Sequence, residues 1–123
     1  MIMSNNIYQL QISYSSDDQL NKISALLNTA PTKQMASLWC LEIEEHENKA
    51  YFDFINRFLD ILEGKYEQLK SIGILRKDIS VWFLYEYESQ CNIEFDPNCL
   101  KRLGTEGINL CLSCWQKGSV IEF

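Results

Sequence analysis

One β-sheet of four or five strands carrying three helices, an α/β domain of the α+β kind, is the fold this chain predicts. Three observations support it. Segments near residues 7–15, 38–45, 79–88 and 108–114 alternate apolar and polar residues with a period of two, as half-buried strands do. Residues 49–71 instead repeat apolar residues every three or four positions, the period of one helix face. Third, a strand–acidic turn–helix unit occurs twice: Asp17, Leu20 and Ile23 are echoed by Asp96, Cys99 or Leu100, and Leu103.

In chain order, Tyr8, Leu10, Ile12 and Tyr14 form one face of the first strand, with Gln9, Gln11 and Ser13 opposite. Ser15, Ser16 and Asp17 offer capping oxygens to a helix lined by Leu20, Ile23, Ala25, Leu26 and Leu27. Pro31 ends that helix, because proline disfavours helical backbone in the residue before it. The TKQMAS stretch reads as a loop, and Trp39, Leu41 and Ile43 then mark a second strand. The longest helix follows. Tyr51, Phe52, Phe54, Ile55, Phe58, Leu59, Ile61, Leu62, Tyr66 and Leu69 share its inner face, and Gly64 is the place for a bend or break.

Ile79, Val81, Phe83, Tyr85 and Tyr87 face one way in the next strand, while Trp82 and Leu84 face the other. Two apolar faces predict a strand covered on both sides, or one whose second face meets a partner. Residues 91–95 read as a short extra strand. Asp96 and Pro97 open a third helix, closed by Gly104 and Gly107. Ile108, Leu110, Leu112 and Cys114 define the last strand, and QKGSVIEF is a tail. The order is β-α-β-α-β-(β)-α-β, with parallel neighbours linked by helices and one hairpin expected.

The 123 residues form one domain, spanning 1–123, large enough to bury about two-thirds of its unfolded surface. A net charge of −6 opposes nucleic-acid binding, which requires a basic surface to displace counterions. It suits a surface that attracts a basic protein. MIMSNNIYQLQISY has neither a basic n-region nor a continuous apolar core, so a reducing cytoplasm without membrane insertion is expected. There the odd count of five cysteines reads as thiols rather than bridges.

Few residues group as chemistry. Cys111 and Cys114 have metal or redox spacing, but within a strand a separation of three directs the side chains to opposite faces. His46, the only histidine, lies in the charged run EIEEHENK. It reads as a solvated loop residue or, with a neighbouring Glu, as a general base. No nucleophile motif, phosphate loop or metal set accompanies it, so no catalytic residue, metal or cofactor is assigned. Carboxylates instead gather at strand ends: Glu42, Glu44, Glu45 and Glu47, then Glu86 and Glu88, then Glu94 and Asp96. Beside them stand Trp82, Tyr85, Tyr87 and Trp115. Aromatic anchors within a charged border read either as an interface or as a solvated sheet end over core aromatics.

Leu26, Leu27 and Pro31, then Trp39, then Leu100, Leu103, Gly107 and Ile108 running into Leu110 and Leu112 resemble, over nearly the whole chain, a bacterial family known as a domain of unknown function (number four-two-seven-nine). Ser113, Cys114 and Trp115 stand where that family usually carries an acidic residue and an aromatic. The resemblance implies a fold and a bacterial origin, not a reaction.

The expectation is therefore a non-enzymatic, acidic, cytoplasmic binding protein. Its most concrete form is an immunity protein of the contact-dependent growth inhibition kind, which neutralises a basic cognate toxin domain such as a nuclease. Its contact residues would be Glu42, Glu44, Glu45, Glu47, Trp82, Tyr85, Glu86, Tyr87 and Glu88. The alternative is a small-molecule-binding or enzymatic α/β domain, and monomer and dimer both remain open.

Overall fold

The computed structural model describes residues 6–45, 52–90 and 92–118. They form an α+β fold in which five strands make one sheet, in the order β2-β3-β1-β4-β5. The strands are β1 (Asn6–Ser13), β2 (Lys33–Met35), β3 (Leu38–Glu45), β4 (Ile79–Tyr87) and β5 (Asn109–Gln116). The helices are α1 (Asp17–Leu27), α2 (Phe54–Leu62), α3 (Tyr66–Ser71) and α4 (Pro97–Glu106), with a 3₁₀ turn at Arg76–Asp78.

The pairing departs from the sequence reading. β1 is central and antiparallel to both β3 and β4; only β4 and β5 run parallel, across the α4 connection. TKQMAS is not all loop: Lys33–Met35 pairs with Leu38–Cys40 as a hairpin, its turn made with Ser37 at φ 59. A hairpin arm of three residues is too short to show a period. Residues 92–95 form no strand; instead Ile93 and Phe95 pack on the core from an irregular segment.

The long helix is two helices. Gly64 adopts φ 75 between α2 and α3, a conformation that glycine reaches without steric penalty and that ends a right-handed helix. The apolar stripe survives the break, since Phe54, Ile55, Phe58, Leu59, Leu62 and Leu69 are all buried. The predicted first turns at Lys49–Tyr51 lie outside the described residues, and α2 opens at Phe54, where Asp53 Oδ1 accepts from the Asn56 amide at 3.1 Å. The two aspartates of the repeated unit have different roles. Asp96 caps α4, accepting from the Asn98 amide at 2.9 Å ahead of Pro97. In α1 the cap is Ser16, which accepts from the Gln19 amide; Asp17 lies one residue inside, where its charge suits the helix N-terminus.

The helices share one core with one face of the sheet. Tyr8, Leu10 and Ile12 of β1, Trp39 and Leu41 of β3, and Ile79, Val81 and Phe83 of β4 meet Ile23, Phe54, Phe58, Leu62 and Leu103 from the helices. Trp39 is wholly buried, and its indole N–H donates to Ser24 Oγ at 3.0 Å, so a large ring is buried without an unpaired donor. The opposite face carries Gln9, Gln11, Lys33, Trp82 and Leu84, which belong to no helix contact of that core.

Outside the core, Arg102 holds α4 to α2. Its guanidinium pairs with Asp60 at 2.8 Å and Glu106 at 2.8 Å and donates to Asn56 Oδ1 at 2.9 Å. Burial opposes its charge, but the hydrogen bonds to Asp60 and Glu106 outweigh that and raise its pKa. Glu106 also accepts from the Tyr66 hydroxyl at 2.6 Å, and the Arg76 guanidinium lies 3.9 Å over the Tyr66 ring. Burial, and then Glu106, push the Tyr66 phenol up.

In urea denaturation, Arg102→Ala is expected to lose about 2 kcal/mol, because one charged hub is removed from three acceptors. Asp60→Ala, whose carboxylate is mostly exposed, should lose well under about 1 kcal/mol. Phe54→Ala, at a fully buried ring packed on Tyr8 and Phe83, should lose about 3–5 kcal/mol.

Candidate functional site

The chemistry-bearing residues meet because of strand direction. β3 and β4 both oppose β1, so they run the same way, and their carboxyl-terminal ends emerge together on either side of the start of β1. Asn6 lies opposite Glu45 on one side and Tyr85 on the other; Ile7 lies opposite Glu44 and Leu84. β5, parallel to β4, brings Trp115 and Gln116 to the same end beside Glu86 and Tyr87. Two of the three carboxylate groups read from the sequence thus flank one strand end, and the segment after β4 adds Glu94.

Side-chain alternation then divides them between the two faces. On the helix side, Glu45 and Tyr85 line a cleft of about 220 Å³. Tyr8, Phe83 and Phe95 form its aromatic wall, with Asn92 and Glu94 on the rim. The Tyr8 hydroxyl donates to Glu45 Oε1 at 3.2 Å, and its ring stacks on Phe83 at 5.1 Å and on Phe54 at 4.8 Å. Tyr85 continues the row, 5.6 Å from Phe83.

Glu42, Glu44, Trp82 and Glu86 point to the face away from the helices, as their register with Gln9, Ile7 and Trp115 requires. Glu42 is committed to the sheet: it accepts from Gln9 Nε2 at 2.7 Å and pairs with Lys33 at 3.4 Å, while its amide donates to Thr32 Oγ1 at 2.6 Å. Gln11 Nε2 extends this line by donating to Gln9 Oε1 at 2.6 Å. Glu86 accepts from the Trp115 indole at 3.3 Å. Trp82 donates to Ser80 Oγ at 2.8 Å and, with Met35, Leu38 and Leu84, borders a shallow apolar groove of about 560 Å³. Glu88, past the strand end, pairs with Lys117 at 3.1 Å. Tyr87 is half-buried, and its carbonyl accepts from the Lys117 amide at 2.7 Å.

Of the nine expected contact residues, Glu44, Glu45, Tyr85, Glu86, Tyr87 and Glu88 therefore share one end of the sheet without sharing one face, whereas Glu42 and Trp82 flank Gln9 in mid-sheet. Glu47 lies outside the described residues, as does His46. Asp96 is withdrawn from the acidic group by its capping bond. The cleft residues missed from the sequence, Tyr8, Phe83 and Phe95, look there like ordinary core aromatics; only the neighbouring Glu94 marked the segment.

Among the described residues, no group of three His, Cys, Asp or Glu side chains is placed to hold a metal ion. Cys111 lies opposite Trp82 and Cys114 opposite Tyr85, on different faces of β5, which prevents joint use of the pair. Burial pushes the Cys111 thiol up. Burial, then the Asp53 and Asp96 carboxylates, do the same for Cys99. These shifts oppose the thiolate, the reactive form.

Comparison with protein families, with curated proteins and with solved structures finds no match.

Cys40 gives the alkaline behaviour of the sheet a definite sign. It is fully buried in β3, and burial first, then the Glu42 carboxylate, push its thiol from 9.0 up to about 11 against a smaller opposing effect of Lys33. A raised folded-state value means that this stabilisation is fully present below the unfolded value and is lost as the pH rises through the folded one. The stability of the wild type relative to Cys40→Val should therefore fall between pH 9 and about 11, by on the order of 2–3 kcal/mol. Denaturant titrations of both proteins across that window measure it.

Proposed function

We propose that the protein is a non-catalytic acidic binding protein, an immunity-type partner that neutralises a basic toxin domain by covering it in the cytoplasm. The observation that carries this reading is the gathering of Glu44, Glu45, Glu86, Glu88 and Glu94 at one end of the sheet, with Glu45 and Glu94 lining an aromatic cleft on its helix side. A net charge of −6 and this acidic end favour a basic protein over a nucleic acid. Steering by opposite charge speeds association, and rings such as Tyr85 can supply the buried anchors on which affinity depends. A toxin that binds nucleic acid is basic for its own reasons, so an acidic inhibitor matches the surface it must occlude. Among the described residues, no helix is long and apolar enough to cross a membrane.

A second reading, a small-molecule-binding domain, is favoured by the groove beside Trp82 and Leu84. The two readings separate in growth assays. On the immunity reading the neighbouring reading frame encodes the toxin, and co-expression with its product should restore growth and give a complex that weakens with salt. Reversing charge at Glu44, Glu86 and Glu88 should slow association by on the order of tenfold at low salt. Absence of growth rescue by the intact protein would sink the immunity reading.

A further inference from the structure

We infer that the helix-side cleft is the socket for an organic cation, the guanidinium or ammonium end of a basic side chain presented by the protein partner. The inference rests on the binding role proposed above and specifies what enters. Two carboxylates from separate parts of the chain, Glu45 at the end of β3 and Glu94 in the segment after β4, border the same space as the rings of Tyr8, Tyr85 and Phe95. Tyr8 is 3% exposed and stacked on Phe54 and Phe83, so the half-buried rings of Tyr85 and Phe95 are the ones left to attract a cation through the negative potential of an aromatic face. The carboxylates supply charge-assisted acceptors at its edge.

Other occupants fit this lining poorly. An anion meets two like charges. An apolar group would strip water from the carboxylates without replacing their hydrogen bonds. A cation satisfies both kinds of wall, and no Lys, Arg or His among the described residues lines the cleft to fill that role internally. The Tyr8 hydroxyl occupies one site on Glu45, but an ionised carboxylate has room for several donors. Size agrees as well: about 220 Å³ suits one side-chain head and falls below the volume usual for a drug-sized ligand.

The test uses the full chain and two probes of nearly equal shape, N-acetyl-arginine amide and its neutral analogue N-acetyl-citrulline amide, followed by backbone amide NMR. The arginine probe should shift the Tyr85, Asn92 and Ile93 amides saturably in the millimolar range, and the citrulline probe should not. Glu45→Gln with Glu94→Gln should weaken arginine-probe binding by on the order of tenfold. Its remaining amide spectrum should be unchanged, since glutamine still accepts from Tyr8. Tyr85→Leu should weaken binding independently. The same Gln pair should weaken the toxin complex by a comparable factor. Equal binding of both probes, no shift with either, or probe binding or a toxin complex indifferent to the Gln pair overturns the inference. The two readings fail separately. An intact toxin complex without discrimination between probes defeats only the socket. Discrimination between probes without growth rescue defeats the immunity role and leaves the cleft selective for cations.

Discussion

Everything at the acidic end of this molecule depends on β1 being paired on both sides, antiparallel each time. A strand so placed forces its two neighbours to run in one direction, and the third follows through the parallel β4–β5 pair. Three carboxyl-terminal strand ends then emerge together, whatever side chains they bear. The sequence loads two of those ends with glutamates and aromatics, so topology converts three remote segments into one neighbourhood. A one-residue slip of β1 would exchange its faces, turning Tyr8 away from Glu45 and moving Gln9 into the core.

Register is protected from both faces. On the helix side, Leu10, Ile12, Trp39 and Val81 lose nearly all exposure, and burial of each such side chain contributes about 1.5–3 kcal/mol. On the other side, Gln11, Gln9, Glu42 and Lys33 form a line of polar contacts across three adjacent strands. Buried Gln9 is thereby satisfied, where an unpaired amide would cost about 1–3 kcal/mol. The face that lacks helices is therefore held in alignment by directional bonds, and the opposite face by apolar cover.

The parts of the fold set by local periodicity were legible in the chain. Alternation located β1, β3, β4 and β5, the stripe from Phe54 to Leu69 located the helical layer, and Asp96 with Pro97 located α4. Strand order was not legible, because alternation says which residues share a face but not which strand lies next. The hairpin arm Lys33–Met35 was too brief to carry a period, and Ile93 and Phe95 imitated one while packing from irregular backbone. The cleft was hidden for a related reason. Tyr8 and Phe83 have the spacing of core residues and are in fact core residues; they become a wall only because Glu45 and Glu94 line the same cleft. That juxtaposition arises from tertiary structure, and no spacing in the chain encodes it.

The central position of β1 also fixes when the acidic end can come into being. β1 closes onto β4 across a loop that contains α1, β2, β3, α2 and α3, and contacts so distant in sequence lose chain entropy before they gain any burial. Formation of the sheet is consequently slow relative to formation of its helices, and until β1 pairs with both β3 and β4 nothing holds Glu45 and Tyr85 to the same cleft. The cleft at this end is thus a late property of the fold, present only in molecules whose first strand has found both of its neighbours.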